Sequence, residues 1–293
     1  MDLTTFLVQC LNAFQYGMLL FLVASGLTLI FGIMGVINLA HGSFYMIGAY
    51  MAYALAPLVE ATIGGGFFTT LAVGMILSII LGYLLEWIFY SYLYNRDHLQ
   101  QVLMTYGLIL VFEEIRSLVV GDDVYGVQIP ELLGGSIPLG ELMTYPYYRL
   151  FVSAVCILLV IAMFWVFAKT RLGMMIRAGA SNREMVQSLG ININFLYRIV
   201  FAAGFALAAF AGMVAAPISS VYPGMGSSVL IICFVVVVIG GIGSIQGALV
   251  ASLLIGFVDT FGNVLVPEIA GLLVYLAMAI ILLWKPSGLF QAG

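Results

Sequence analysis

Residues 32–53 read GIMGVINLAHGSFYMIGAYMAY, inside a run from Leu3 to Val59 that holds no Asp, Glu, Lys or Arg. A helix crosses the hydrocarbon core of a bilayer in about 20 residues, so the run is long enough for two crossings. Gly32, Gly35, Asn38, His41 and Gly42 fall in its middle, and such residues suit helix interiors poorly. Backbone that leaves a helix at membrane depth must line a cavity or be buried in protein, because lipid cannot satisfy its polar groups. Discontinuous helices of this kind are what transport proteins build their pathways from. Asn38 and His41, three apart on any local helical turn, are read as groups that hold the interrupted backbone, with solute contact as the sharper alternative. Transport unaltered by Asn38→Leu would argue against both.

Outward from that stretch the same composition continues. Of 293 residues, 64% are hydrophobic and 8% charged, where a soluble domain carries about 25% charge. The chain therefore reads as one polytopic, all-α membrane domain over residues 1–293. The net charge of −4 comes with no basic cluster that could neutralise phosphates, so nucleic acid is not an expected partner. The opening MDLTTF lacks the basic region of a cleavable signal peptide. Cys10, Cys156 and Cys233 lie in apolar runs without paired spacing, and two histidines are too few for a metal site of usual spacing. No metal is expected.

The order of apolar and polar stretches gives about eight or nine membrane segments. The first spans roughly 5–31, the interrupted one continues over 36–57, and a third runs over 67–92 with Glu86 near its end. The polar turn YNRDHLQQ (94–101) leads to a fourth at 102–120, and the longest loop follows at 121–148. A fifth covers 150–168. The basic stretch at 169–194 precedes a charge-free run at 199–258, long enough for two or three crossings, and a last helix covers 269–284. With the N-terminus outside, Arg96, Lys169, Arg171, Arg177, Arg183, Arg198 and Lys285 fall on the cytoplasmic side, and Arg116 and Arg149 fall towards the outside. That asymmetry has the sign the positive-inside rule requires, so the C-terminus is expected to be cytoplasmic.

Residues 240–247 (GGIGSIQG) echo the first glycine cluster. They lack the Lys and Ser/Thr of a phosphate-binding loop and are read as close helix packing, as a second interruption lining the pathway, or as both. The residues concerned are Gly240, Gly241, Gly243, Ser244 and Gly247. His41 and Ser43 do not face each other on a helix, and no nucleophile elbow occurs, so no catalytic residue is assigned. Glu113, Glu114 and Arg116 read as an interfacial cluster in which Glu113 and Arg116, three apart, could pair; a vestibule for a zwitterionic solute is the alternative. Glu86 and Asp259 read as isolated interfacial or structural acids. Within 171–194, apolar and polar residues alternate between Gly173, Gly179 and Gly190, as in a short helix lying along the membrane. Ser181-Asn182 could supply its cap, with Glu184 in the first turn.

Three stretches together resemble the permease family of ABC importers for branched-chain amino acids. They are GVINLAHG at 35–42 with YMIGAY at 45–50, RAGASNREMVQSLGI at 177–191, and VIGGIGSIQGA at 238–248. The ending Lys285-Pro286-Ser287-Gly288 is similar to the family's, so the resemblance runs along nearly the whole chain. It implies an ABC importer permease fold in a bacterial inner membrane. The expected partners are a second homologous permease, two cytoplasmic ATP-binding subunits and a periplasmic solute-binding protein. ATP and magnesium would sit on the partner subunits, with no cofactor in this chain and no enzymatic role for it. The implied ATPase-coupling residues are Arg177, Ala178, Ala180, Ser181, Asn182, Arg183, Glu184, Leu189 and Gly190. The implied pathway residues are Gly35, Asn38, His41 and Gly42 with the second glycine cluster. Ser181-Asn182 stands where an acidic residue is frequent in the family. Urea or short amides are alternative solutes, and an ion-coupled secondary transporter is the alternative of a different class.

Overall fold

A computed structural model describes residues 3–94, 96–138 and 143–290; Asn95 of the polar turn and residues 139–142 of the longest loop lie outside the described residues. Eleven helices follow one another among those described: α1 Leu3–Met34, α2 His41–Thr62, α3 Gly66–Ile88, α4 His98–Val119, α5 Tyr147–Lys169, α6 Arg171–Ser181, α7 Arg183–Ser188, α8 Ile193–Ser219, α9 Met225–Gly240, α10 Ile245–Leu265 and α11 Ala270–Trp284. Seven helical stretches are long and apolar enough to cross a membrane: α1, α2, α3 with the 3₁₀ turn Tyr90–Tyr92, α5, α8, α10, and α11 with its preceding turn. Among the described residues α9 is apolar but shorter, and α4 is more polar. Residues 136–138 and 144–146 form a two-stranded antiparallel ribbon, β1 and β2, in the longest loop, with Ser136 opposite Pro146. The described part of the chain is a polytopic all-α bundle with two short helices, α6 and α7, at one face. That face carries Arg177; the opposite one carries Asp122.

Between membrane helices there is little hydrophobic driving force, so close packing through small residues has to hold them. α1 is buried over most of its length and runs antiparallel to α10, with Gly17 against Ser252 and Leu253, and Gly32 against Gly243. Gly26 of α1 meets Gly204 of α8. On α3 the stripe Thr70, Gly74, Ser78, Gly82 and Glu86 recurs every fourth residue and is buried, which brings Gly82 onto Ala202 and Phe205 of α8. Phe44 fills the centre, its ring 4.4 Å from that of Phe205 and 5.7 Å from that of Phe201. α11 has little buried surface and faces outward.

Arg116 at the end of α4 bonds Glu113 (3.0 Å), Asp122 (2.9 Å) and the Gly121 carbonyl (2.7 Å). Charges at this depth usually pair, and here the pairing engages the guanidinium on three sides. The hydrogen bond from Arg116 holds the Asp122 carboxyl below the ordinary carboxylate range.

Candidate functional site

The helix interruption begins at Gly35, whose φ of +65° lets the chain turn sharply after α1 without a Cβ penalty. The His41 ring then lies against α1 far from that helix's end, with Nε2 2.9 Å from the carbonyl oxygen of Val23. Val23 precedes Met34 by eleven residues, about 16 Å at ~1.5 Å per residue. Residues 35–40 thus carry the chain back into the bundle, a distance that about 20 Å of extended backbone can cover. α2 starts at His41 inside the protein. Its Gly42 lies against α9 so closely that a Cβ there would meet the Gly226 carbonyl oxygen at 2.1 Å.

Two amide side chains hold this re-entrant segment. Asn38 is fully buried, and its Oδ1 accepts from the Ala40 N–H (3.0 Å) and the Tyr90 hydroxyl (2.8 Å). Gln101 of α4 accepts from the Ile37 N–H (3.4 Å) and donates to the carbonyls of Leu93 and Arg96. Asn38 and His41 share one turn, as the sequence suggested, the His41 N–H meeting the Asn38 carbonyl (3.4 Å), but their side chains diverge: Asn38 turns to Tyr90 and His41 to α1. Asn38 Nδ2 and His41 Nδ1 are buried without a hydrogen-bond partner among the described residues.

The second glycine cluster has a different place. Gly240 ends α9, Ser244 caps α10 by accepting from the Gly247 N–H (3.0 Å), and Gly241 and Gly243 have φ of +97° and +80°. It is a tight helix-to-helix turn at the Arg177 face, not an interruption of one helix at mid-depth. Gly240 lies directly on Gly247, and Leu289 and Phe290 of the tail bond the carbonyls of Ile239 and Gly240. The two clusters nonetheless touch, through Gly32 and Gly243.

At the same face α6 and α7 form a bent arm. Thr170 caps α6 and Asn182 caps α7, its Oδ1 accepting from the Met185 N–H (2.9 Å). Ser181 is the last residue of α6 and caps nothing. Glu184 sits in the first turn of α7, and Gly190, at φ +81°, ends the arm. Arg177, Ala178, Ala180, Ser181, Asn182, Glu184, Leu189 and Gly190 are exposed, and so are the apolar Met174, Met185 and Leu189. Arg183 differs. It turns inward, its guanidinium carbon 5.4 Å from the Tyr197 ring centre and 6.0 Å from that of Tyr94.

Behind those rings lies a buried ion pair. Glu86 is fully buried, ion-paired to Arg198 at 3.0 Å, and accepts a hydrogen bond from the Tyr94 hydroxyl. Burial pushes the Tyr94 phenol far above its ordinary value, so it remains a donor to Glu86. Glu86 is therefore not an isolated acid. Tyr90, on Asn38, and Tyr94, on Arg183 and Glu86, belong to one short turn between α3 and α4. A single turn thus touches both the re-entrant segment and the arm.

The description of one protein family, the permease component of the branched-chain amino acid transport system, matches residues 9–283. The chain belongs to this family. It is similar to the high-affinity branched-chain amino acid transport permease BraD of Pseudomonas aeruginosa and to LivH of Escherichia coli. Each is 29% identical, over 97% of this chain and 95% of the relative. A probable LivH of Methanocaldococcus jannaschii is 28% identical over 85% of this chain and 78% of the relative. Membership makes this permease a multi-span membrane protein of a transport system.

For the re-entrant segment of the permease we expect Asn38→Leu to cost more than Tyr90→Phe. The first removes the acceptor from both the Ala40 N–H and the Tyr90 hydroxyl, and each buried orphan donor costs about 1–3 kcal/mol. The second removes one donor and leaves Asn38 bonded to Ala40. Solute uptake by membrane vesicles should fall steeply in the first and modestly in the second. Equal uptake in both would show that Asn38 does not hold the segment.

Proposed function

We propose that this chain is the pore-forming subunit of an ATP-driven importer for branched-chain amino acids. In this reading a second homologous permease, two cytoplasmic ATP-binding subunits and a periplasmic solute-binding protein complete the assembly in a bacterial inner membrane. The observation that carries the reading is the exposed arm α6–α7 with one inward arginine. Its outer side offers Met174, Met185 and Leu189, more than half exposed, to a partner; its inner side connects, through Arg183 and Tyr94, to the turn that also holds Asn38. ATP hydrolysis takes place on the partner subunits, and this chain converts their closure into movement.

Closure of the ATP-binding subunits displaces the arm, and Arg183 transmits the displacement to Tyr94 and Tyr197. Tyr94 shares its turn with Tyr90, so the hydrogen bond to Asn38 shifts with it. The re-entrant segment has few backbone bonds of its own and responds first. The Arg177 face is cytoplasmic in this reading and the Asp122 face is outside, in line with the distribution of Lys and Arg.

Arg183→Glu tests the coupling step. It exchanges a cation held over two aromatic faces, worth about 0.5–2 kcal/mol each, for an anion. The ATP-binding subunits should still co-purify with the variant, since the exposed residues of the arm are intact, but binding protein should no longer stimulate hydrolysis. Stimulation equal to that of the parent would remove Arg183 from the route. In the same cells, Asp123→Cys should react with a membrane-impermeant thiol reagent from outside; protection there would reverse the orientation.

A further inference from the structure

A cleft of about 380 Å³ opens between the Asp122-face halves of α1, α8 and α10, within the ~300–1,000 Å³ usual for small-molecule sites. It is separate from the arm and from the turn that couples to it. Its polar rim holds one cation, Arg149, and one anion, Asp259, on helices α5 and α10. Both are half-buried. Among the described residues neither takes part in an ion pair. Arg149 donates to the neutral amides of Asn12 (2.7 Å) and Gln15 (3.5 Å), and Asp259 accepts from Asn263 one turn on (3.3 Å).

Opposite charges at membrane depth usually pair with each other. Here each charge is bonded to neutral amides instead, and both line the same cleft. The floor is apolar, formed by Leu19, Leu20, Val23 and Val229, with the Tyr45 ring from the second turn of α2. Val23 is the residue whose carbonyl meets His41, so the cleft descends from the outer rim to the re-entrant segment.

We propose that this cleft binds the solute as a zwitterion, its carboxylate at Arg149, its ammonium at Asp259 and its side chain on the apolar floor. The assignment rests on the amino-acid reading above and adds to it a site in the permease itself. Both charges of the ligand are needed. An amine or an acid alone leaves one half-buried protein charge facing the other end of the ligand without a partner, a loss that discriminates far more strongly than a methylene does.

Ser219 lines the same cleft and is exposed, which makes it a reporter. The complete importer would carry Ser219→Cys with Cys10→Ser, and leucine uptake by the same vesicles would be measured first. At a concentration about ten times its Kd, L-leucine should slow thiol labelling about tenfold. Isoamylamine and 4-methylvalerate should not, and Asp259→Asn should abolish the slowing. Uptake of leucine with labelling unchanged, or slowed equally by the amine, would overturn the cleft assignment alone. Absence of leucine uptake would take down the amino-acid reading and the cleft with it.

Discussion

Gly42→Ala should abolish transport and lower the thermal stability of the purified protein. The added carbon would lie 2.1 Å from the Gly226 carbonyl oxygen and 2.7 Å from Leu230 Cβ. The first obstacle is backbone, which cannot rotate away, so α2 and α9 must separate. Overpacking of that kind costs about 1–3 kcal/mol, and it acts where the re-entrant segment enters α2. Gly107→Ala is the matched control: it lies on α4 with nothing within 4 Å, and removing a helical glycine there should stabilise slightly. Thermal unfolding in detergent, followed by light scattering, reads both. An unchanged melting temperature for Gly42→Ala would mean that α2 and α9 are not in this contact.

The second large effect is expected at the Glu86–Arg198 pair. Arg198→Met leaves a fully buried carboxylate with the Tyr94 hydroxyl alone. One-sided loss of a buried pair costs about 3–5 kcal/mol, and about 3 kcal/mol is expected because the Arg198 side chain keeps 26% of its surface exposed. Combining it with Glu86→Gln should recover much of that loss, since the buried charge goes too. Stability measured over the four-member cycle gives the coupling, and additive losses would show that the two residues do not act as a pair. Glu86→Gln should also weaken ATPase stimulation, because the Tyr94 hydroxyl behind Arg183 then donates to a neutral amide oxygen in place of a carboxylate.

The run of membrane segments was legible because charge-free apolar stretches are long and polar turns short. The helix bounds fall within a few residues of those read from composition for most segments, and the Glu113–Arg116 pair follows from spacing alone. The break at 35–40, between α1 and α2, was legible as an interruption. Its depth was not: that is set by the contact of His41 with Val23, on a neighbouring helix, and no local pattern encodes it. The glycine cluster at 240–247 has nearly the composition of the first and a different position, because Gly240 and Gly247 pack on each other and the tail covers them. The stripe Thr70, Gly74, Ser78, Gly82, Glu86 carried a signal that could have been used, since small residues at every fourth position mark a helix interface. It would have placed Glu86 inside the bundle. Tyr90, Tyr94, Gln101 and Arg198 acquire their roles through partners on other elements, and Arg149 and Asp259 meet in one cleft only after folding.

In this reading solute movement through the chain is driven by ATP bound elsewhere and relayed through the arm. The direct measurement is leucine accumulation by vesicles that hold the permease with its partner subunits. ATP would be confined to the compartment facing Arg177, and loaded binding protein to the one facing Asp122. Accumulation that requires both and disappears in Arg183→Glu is the predicted result. Uptake without ATP, driven by a sodium or proton gradient, would instead make this chain a secondary transporter.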